Sequence, residues 1–442
     1  MDLLTANDRD GQYPSSWYAE TATPLPPFPV AQGALTCDVC VIGGGFTGLS
    51  AALHLAERGY DVILLEAQRV GFGASGRNGG QVGTGQRLDQ DALEGMVGKT
   101  AARALWDLSL ESVSLTRDLA LKHAPDAGFA PGILHAAHKP RYVSEGHAYA
   151  EKMARDYDYD LIQPLSRNAM REMVNSPVYF GGDLDMGAGH LHPLRYALGL
   201  ARAAQAAGVR IFEDSRVTAL TQANPARVET AQAQITADFV AMGCNGYLGR
   251  LEPSVAARVM PINNFIAATR PMTDEQRAEV IRQNYAVADT KFVVNYFRFS
   301  EDNRLLFGGT ESYGYRFPSD IAGKVRRPLE QIFPHLKGIE LTHAWGGTLG
   351  ISMNRMPHFA RLSGNVLSAS GYSGHGVAMA TLCLVDYRIL ARWSLIAYVI
   401  TILCLIAVPI IGVDRFMSEA RAITNFIGNT TSSTVVSYYI YL

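Results

Sequence analysis

Asp38-Val39-Cys40-Val41-Ile42-Gly43-Gly44-Gly45-Phe46-Thr47-Gly48 is the stretch that decides the fold of this chain. An apolar run of strand character enters a G-x-G-x-x-G turn. Leu49 to Arg58 then reads as a helix closed by Gly59, and Asp61-Val62-Ile63-Leu64-Leu65-Glu66 as a second buried strand. That order is a βαβ unit with a phosphate-binding turn. Gly43 makes the turn, Gly45 lets a pyrophosphate approach the backbone, and Gly48 lets helix and strand pack closely. Unpaired N–H groups at the helix start, at Phe46 and Thr47, face the phosphate. Glu66, ending the second strand with Ala67 beside it, offers a carboxylate to ribose hydroxyls. The unit predicts a Rossmann-type dinucleotide-binding lobe and leaves FAD and NAD both open.

Outward from this unit, the polar, proline-rich N-terminus reads as an extended arm over the surface, outside any sheet. Residues 101–125 carry helical spacing, strand character surrounds Gly132-Ile133-Leu134, and a helix is expected near Tyr142 to Tyr157. Pro193 suits a first helical position, so a helix should run to Ala207, stop at Gly208 and give way to a strand at Val209–Glu213. Strands are expected at Val259–Thr269, Phe292–Phe299 and Arg304–Gly309, with a hairpin turn at Asp302-Asn303 and a helix near Pro318 to Phe333. The fold class is α/β, with a glutathione reductase-like nucleotide lobe, an antiparallel-sheet substrate lobe and a C-terminal hydrophobic helix. The expected boundaries are an arm at 1–35, a nucleotide lobe from 36–110, 188–256 and 339–390, a substrate lobe from 111–187 and 257–338, and a tail at 391–442.

Composition narrows the function classes. A 48% hydrophobic, 18% charged chain of 442 residues can bury a large core, and a net charge of -2 supplies no positive field for nucleic acid. No secretory signal is read at Met1-Asp2-Leu3-Leu4-Thr5, so the core of the protein is expected in the cytoplasm. The five cysteines are too scattered for a disulfide framework, and no metal-ligand set is read. Cys37 and Cys40 form a C-x-x-C, but residues three apart on a strand point to opposite faces, which favours packing over redox chemistry.

Gly71-Phe72-Gly73-Ala74-Ser75-Gly76-Arg77-Asn78-Gly79-Gly80-Gln81 follows Glu66 closely. So few side chains leave room for a flat ring and offer backbone donors to it. This segment resembles the A-S-G-R-N-G-G flavin loop of the D-amino acid oxidase and glycine oxidase superfamily. The similarity runs from about Tyr13 to Thr381 and includes Gly189-His190-Leu191-His192-Pro193-Leu194, Asp302-Asn303-Arg304-Leu305-Leu306-Phe307-Gly308-Gly309, Arg355-Met356-Pro357 and Gly371-Tyr372-Ser373-Gly374-His375-Gly376-Val377. The resemblance implies FAD as cofactor, and the absence of a cysteine from this loop predicts that it is held without a covalent link. It sets Gly43, Gly45 and Gly48 at the pyrophosphate, Glu66 at the ribose, and Ser75, Arg77, Asn78, Gly79, Gly80 and Gln81 along the ribityl chain and flavin. Val217 would lie near the adenine, Gly243 would form the second dinucleotide-side bend, and Gly371, Gly374, His375, Gly376 and Val377 would face the pyrimidine edge of the ring.

The implied activity is oxidation of a small-molecule amine, with γ-glutamylputrescine as the model substrate, to an imine and then an aldehyde, with dioxygen reduced to hydrogen peroxide. Trp345-Gly346-Gly347-Thr348-Leu349-Gly350 resembles a W-x-G-x-R-P stretch whose arginine clamps a substrate α-carboxylate in amino-acid-oxidising relatives. Leu349 stands in that place and cannot make a bidentate contact, which argues against simple α-amino acids. His375, Arg355 and Leu349 are the candidate substrate-side residues.

The resemblance stops near Leu382. An uncharged run from Trp393 to Val413 follows, flanked by Arg388, Arg392, Asp414 and Arg415. At ~1.5 Å per residue it is long enough for a ~30 Å hydrocarbon core, so residues 393–413 are a candidate for membrane contact. A buried helix is the alternative, disturbed by Pro409 and Gly412. Phe416 to Asn429 resembles a stretch of dicarboxylate:cation symporters without the rest of such a transporter. Three readings follow: an oxidase, a membrane-anchored dehydrogenase passing electrons to quinone, or an inactive fusion of a shortened flavoprotein.

Overall fold

The computed structural model describes residues 2–9 and 11–382. Two sheets organise them. The first has eight strands around a parallel core: Val366–Ser370, Ala233–Met242, Gly33–Ile42, Val62–Leu65 and Arg210–Phe212 lie side by side in that order. His358–Arg361 pairs antiparallel at one edge, and Ala226–Glu229 and Ala219–Thr221 form an antiparallel flap on Ala233–Met242. The parallel strands are apolar on both faces because helices cover one side and the flap the other. Val39, Val41, Val62 and Leu64 pack with Leu49, Leu53, Leu198 and Ala201 of the helices Phe46–Glu57 and Pro193–Ala206. Cys40, Ile42, Ile63 and Leu65 face Val217, Val228 and Ile235.

The second sheet has nine strands, in the order Leu341–Ser352, Val259–Thr269, Leu305–Ser312, Tyr296–Phe299, Ala286–Asp289, Ala130–Ala136, Gly182–His190 and Gln81–Val82, with Ile162–Leu165 also on Gly182–His190. Its outer face packs on the helix Ile321–Ile332 through Phe265, Phe297, Phe307, Val325 and Leu329. The sheet is mixed where a purely antiparallel one is expected from the sequence. Ala286–Asp289 runs parallel to Ala130–Ala136. A parallel neighbour needs a long connection, and the chain between these two strands supplies one.

Three further expectations need correction. The N-terminal arm is partly core: Ser16 caps a short helix, Trp17–Thr21, that buries Trp17 and Tyr18, and Tyr18 stacks edge-on against Trp345 at 5.2 Å. Its last residues, from Gly33, already pair with Ala233–Met242. Cys37 and Cys40 share one face, because the N–H groups of Asp38 and Val39 both donate to Asp61 O and interrupt the alternation. Both thiols are free, and burial holds both pKa values up, that of Cys37 at about 12, which keeps them protonated. Residues 292–295 are loop where strand is expected. The Asp289 carboxylate accepts from Lys291 N, Asn295 N and Asn295 Nδ2, and that local closure takes the backbone off the ladder.

The C-terminal hydrophobic helix and the candidate membrane segment 393–413 lie outside the described residues. Among the described residues, no helix is long and apolar enough to cross a membrane.

Candidate active site

The glycine turn forms as its spacing demands. Gly43 has φ +107°, and a Cβ there would stand 2.9 Å from Gly243 O, so the first bend and the bend after Ala233–Met242 meet backbone to backbone. A Cβ on Gly48 would stand only 1.9 Å from Gly43 O. Helix Phe46–Glu57 can therefore sit this close to its strand only with glycine there. Gly45 is its N-cap and supplies no side chain to the helix start.

Glu66 ends its strand with its carboxylate turned back on the turn. Oε2 accepts from Gly44 N at 2.6 Å and Oε1 from Gln68 N at 2.9 Å. Burial pushes its pKa up to about 7 against the pull of those two donors. Glu66, Ala67, Gly43, Gly45, Ser75, Val217 and Gly243 line one cavity of about 360 Å³. The cavity also meets Phe72, which belongs to the 71–81 loop, and Arg216, Tyr247 and Arg250, of which only Arg216, next to Val217, has a signal in the sequence.

The two glycine-rich bends are joined. The Phe46 N–H donates to Ser75 Oγ at 3.0 Å, and Gly45 leaves room for that hydroxyl, since a Cβ would lie 2.8 Å from it. Thr47 Oγ1 shares a 2.7 Å hydrogen bond with the hydroxyl of Tyr372, so the turn of residues 371–376 closes onto the same helix start. Gly371, with φ +70°, is wedged against Val259, Ser352 and His358, and the helix Gly376–Leu382 buries Val377.

Several expected flavin-loop residues have protein partners. Arg77 is buried, its guanidinium donating to Asp8 at 2.8 Å, Phe72 O at 2.6 Å and Gly346 O at 3.2 Å. Asn78 Oδ1 accepts from Gly80 N and its Nδ2 donates to the carbonyls of Ala74 and Ser75, tying the loop to itself. Gly79 and Gly80 admit the ring of Tyr296 and the carbonyl of Leu191, each of which a Cβ would strike. Gln81 Nε2 donates to Val287 O and so couples the loop to the second sheet.

His375 Nε2 lies 3.0 Å from Thr84 O. A carbonyl only accepts, so Nε2 carries the proton. Burial, with Arg87 nearby, pushes the imidazole pKa down to about 4, and the ring is neutral around pH 7. Thr84 in turn donates through Oγ1 to the buried Asp185 at 2.5 Å, which also accepts from Tyr159 at 2.5 Å. Leu349 sits beside this region: the next carbonyl, Gly350 O, accepts from Ser373 N. Arg355 stands apart from the cavity, on a turn after Leu341–Ser352, with its guanidinium carbon 5.7 Å from the Phe292 ring centre.

A parallel sheet with a glycine-rich first turn, an acid at the end of its second strand and a second glycine-rich segment over the same helix start defines a dinucleotide-dependent α/β oxidoreductase. The chain belongs to the family described as DAO, FAD dependent oxidoreductase, whose model matches residues 38–383. It is 42% identical over 369 residues to "Probable oxidoreductase OrdL" of Rhizobium meliloti, spanning 83% of this chain and 86% of that protein. It is 40% identical over 372 residues to the gamma-glutamylputrescine oxidoreductase of Escherichia coli, 84% of this chain and 87% of the relative. Among solved structures, glycine oxidase from Geobacillus kaustophilus has the same fold, with a TM-score of 0.68 at 20% identity over 79% of this chain and 92% of that one. The protein is an FAD-dependent oxidoreductase.

Proposed function

We propose that this enzyme oxidises the terminal amine of a γ-glutamylputrescine-like substrate. The carbon–nitrogen single bond loses two electrons and two protons to become an imine, and water releases an aldehyde and ammonia. Dioxygen takes the two electrons and two protons as hydrogen peroxide. Bound FAD supplies the two-electron acceptor. The chain's part is to hold, orient and exclude water.

The cradle fits the cofactor: Gly43, Gly45 and Gly243 line the cavity without side chains to fill it, and an acid closes one end. In this reading Gly43, Gly45 and the helix start at Thr47 hold the pyrophosphate, with the Ser75 hydroxyl in place of the expected Phe46 N–H, which is taken up by that hydroxyl; Glu66 accepts from the ribose, and Val217 packs on the adenine. The 71–81 loop and the 371–376 turn border the ring, and neutral His375 fixes their spacing through Thr84. The observation that carries the reading is the joining of the two bends at Phe46–Ser75 and Thr47–Tyr372. The named activity of the Escherichia coli relative supports the substrate class, as does Leu349, an apolar side chain where an α-carboxylate clamp would need a cation.

Anaerobic addition of γ-glutamylputrescine to the FAD-loaded enzyme should bleach the flavin absorption band, and air should restore it with one peroxide per amine consumed. Bleaching without peroxide would move the acceptor from dioxygen to a quinone. An unbleached band across a panel of amines would sink the proposal.

A further inference from the structure

Beyond His375 two loops that each carry an arginine are packed against each other. Arg87 follows the strand Gln81–Val82, and Arg355 follows Leu341–Ser352. Their next neighbours, Leu88 and Met356, pack into one small apolar cluster with Leu93 and Leu105, which fixes the two loops against each other. Arg355 is held in the left-handed region, φ +64°, with its N–H on Ser352 O. Its guanidinium lies over Phe292, a ring that is 79% exposed. Among the described residues neither guanidinium forms an ion pair. The nearby acid Glu311 is engaged by the Tyr313 hydroxyl at 2.9 Å. Arg87 is desolvated enough, and near enough to Arg355, for its pKa to be pushed down, and its charge in turn acts on His375. An anion set between two guanidinium groups that form no ion pair would offset their mutual repulsion.

We propose that Arg87 and Arg355 form the seat for a substrate carboxylate, remote from the carbon being oxidised, so that the enzyme takes amines bearing an acid at their far end. This rests on the amine-oxidation reading above. Guanidinium forks match carboxylate oxygens in pairs, and the exposed ring of Phe292 gives the substrate's methylene chain an apolar wall. The absence of a cation at Leu349 and the presence of two here describe one specificity: the acid is recognised, but several bonds from the amine.

The test uses FAD-loaded enzyme with two substrates, γ-glutamylputrescine and the γ-aminobutyryl amide of putrescine, which lacks only the carboxylate. Wild type should prefer the first in kcat/KM. Arg87→Met and Arg355→Met should each lower that preference roughly tenfold or more, through KM, and the double variant should abolish it. Arg87→Lys should recover part of it, which loss of packing alone would not allow. The butyl amide of glutamate, with the acid but no terminal amine, should perturb the flavin spectrum, with a Kd raised by Arg87→Met. Oxidation of both amines with equal efficiency by wild type overturns the carboxylate seat and leaves amine oxidation standing. A preference, or a Kd, that survives both arginine substitutions does the same. Oxidation of neither amine overturns both.

Discussion

His375 Nε2 and the carbonyl oxygen of Thr84 lie 3.0 Å apart, a contact that bridges 291 positions of sequence. It sets the turn of residues 371–376 over the strand that leaves the 71–81 loop, and a Cβ on the intervening Gly83 would stand 2.7 Å from the imidazole.

Loss of this bond should loosen cofactor binding. His375→Leu is expected to raise the FAD Kd about tenfold, the worth of one buried hydrogen bond, measured by fluorescence titration of apoprotein. The imidazole pKa is depressed in the fold to about 4 from 6.5. Its contribution to stability is therefore present above pH 6.5 and lost as pH falls towards 4. The variant should lose less melting temperature than wild type across that window.

Glu66 should act with the opposite sign. Its pKa is raised from 4.5 to about 7 by burial, so its contribution is intact below pH 4.5 and lost as pH rises through 7. Apoprotein carrying Glu66→Gln should show a flatter fall in melting temperature between those values. FAD should bind wild type more tightly as pH passes 7, because the ionised carboxylate is the better acceptor for ribose hydroxyls. An FAD affinity that is flat across pH 6 to 8 would contradict the assignment.

Two glycine substitutions should separate close packing from helix propensity. Gly48→Ala drives a methyl group against Gly43 O and is expected to cost about 3 kcal/mol, with loss of bound flavin. Gly95→Ala, in the helix Gln90–Val97 with nothing within 4 Å of its Cβ position, should gain about 0.5 to 1 kcal/mol. Urea unfolding measures both.

Arg77→Met leaves Asp8 without its ion pair and two carbonyls without a donor. Breaking a buried pair of this kind costs about 3 kcal/mol. The same variant should expose the N-terminal arm to limited proteolysis, since Asp8 is held through that guanidinium.

Leu349→Arg should introduce the α-carboxylate clamp. Oxidation of glycine, followed as peroxide, is expected to appear above background, and kcat/KM for γ-glutamylputrescine to fall about tenfold or more. Unchanged selectivity would mean that this strand position does not face the substrate.

What was legible in the sequence was local. Asp38 to Glu66 reads as strand, turn, helix and strand because apolar runs, glycines and a closing acid follow one another without interruption, and Pro193 announces its helix in the same way. What could not be read came from partners far along the chain. Nothing near Trp17 indicates that it is core; burial arises because Tyr18 meets Trp345. The parallel pairing of Ala286–Asp289 with Ala130–Ala136 depends on where a long crossover lands. Asp289 diverts residues 292–295 from a strand through side-chain acceptance, which competes with an otherwise good β pattern. At the site, Gly43, Glu66, Ser75 and Tyr372 carry motif signals, whereas Arg87 and Thr84 gather only through tertiary closure. Strict alternation sets Cys37 and Cys40 on opposite faces because it ignores the bulge at Asp38 and Val39.

The parallel sheet takes its strands from residues as early as Gly33 and as late as Ser370, with the other sheet's strands threaded between. During synthesis, therefore, no early portion of the chain owns a finished half. The central strand Gly33–Ile42 must wait for Ala233–Met242, and that strand for Val366–Ser370, before its edges are covered. A growing chain therefore keeps unpaired strand edges until nearly the whole family-matched region has emerged, and the cradle, which needs both glycine-rich bends, closes late.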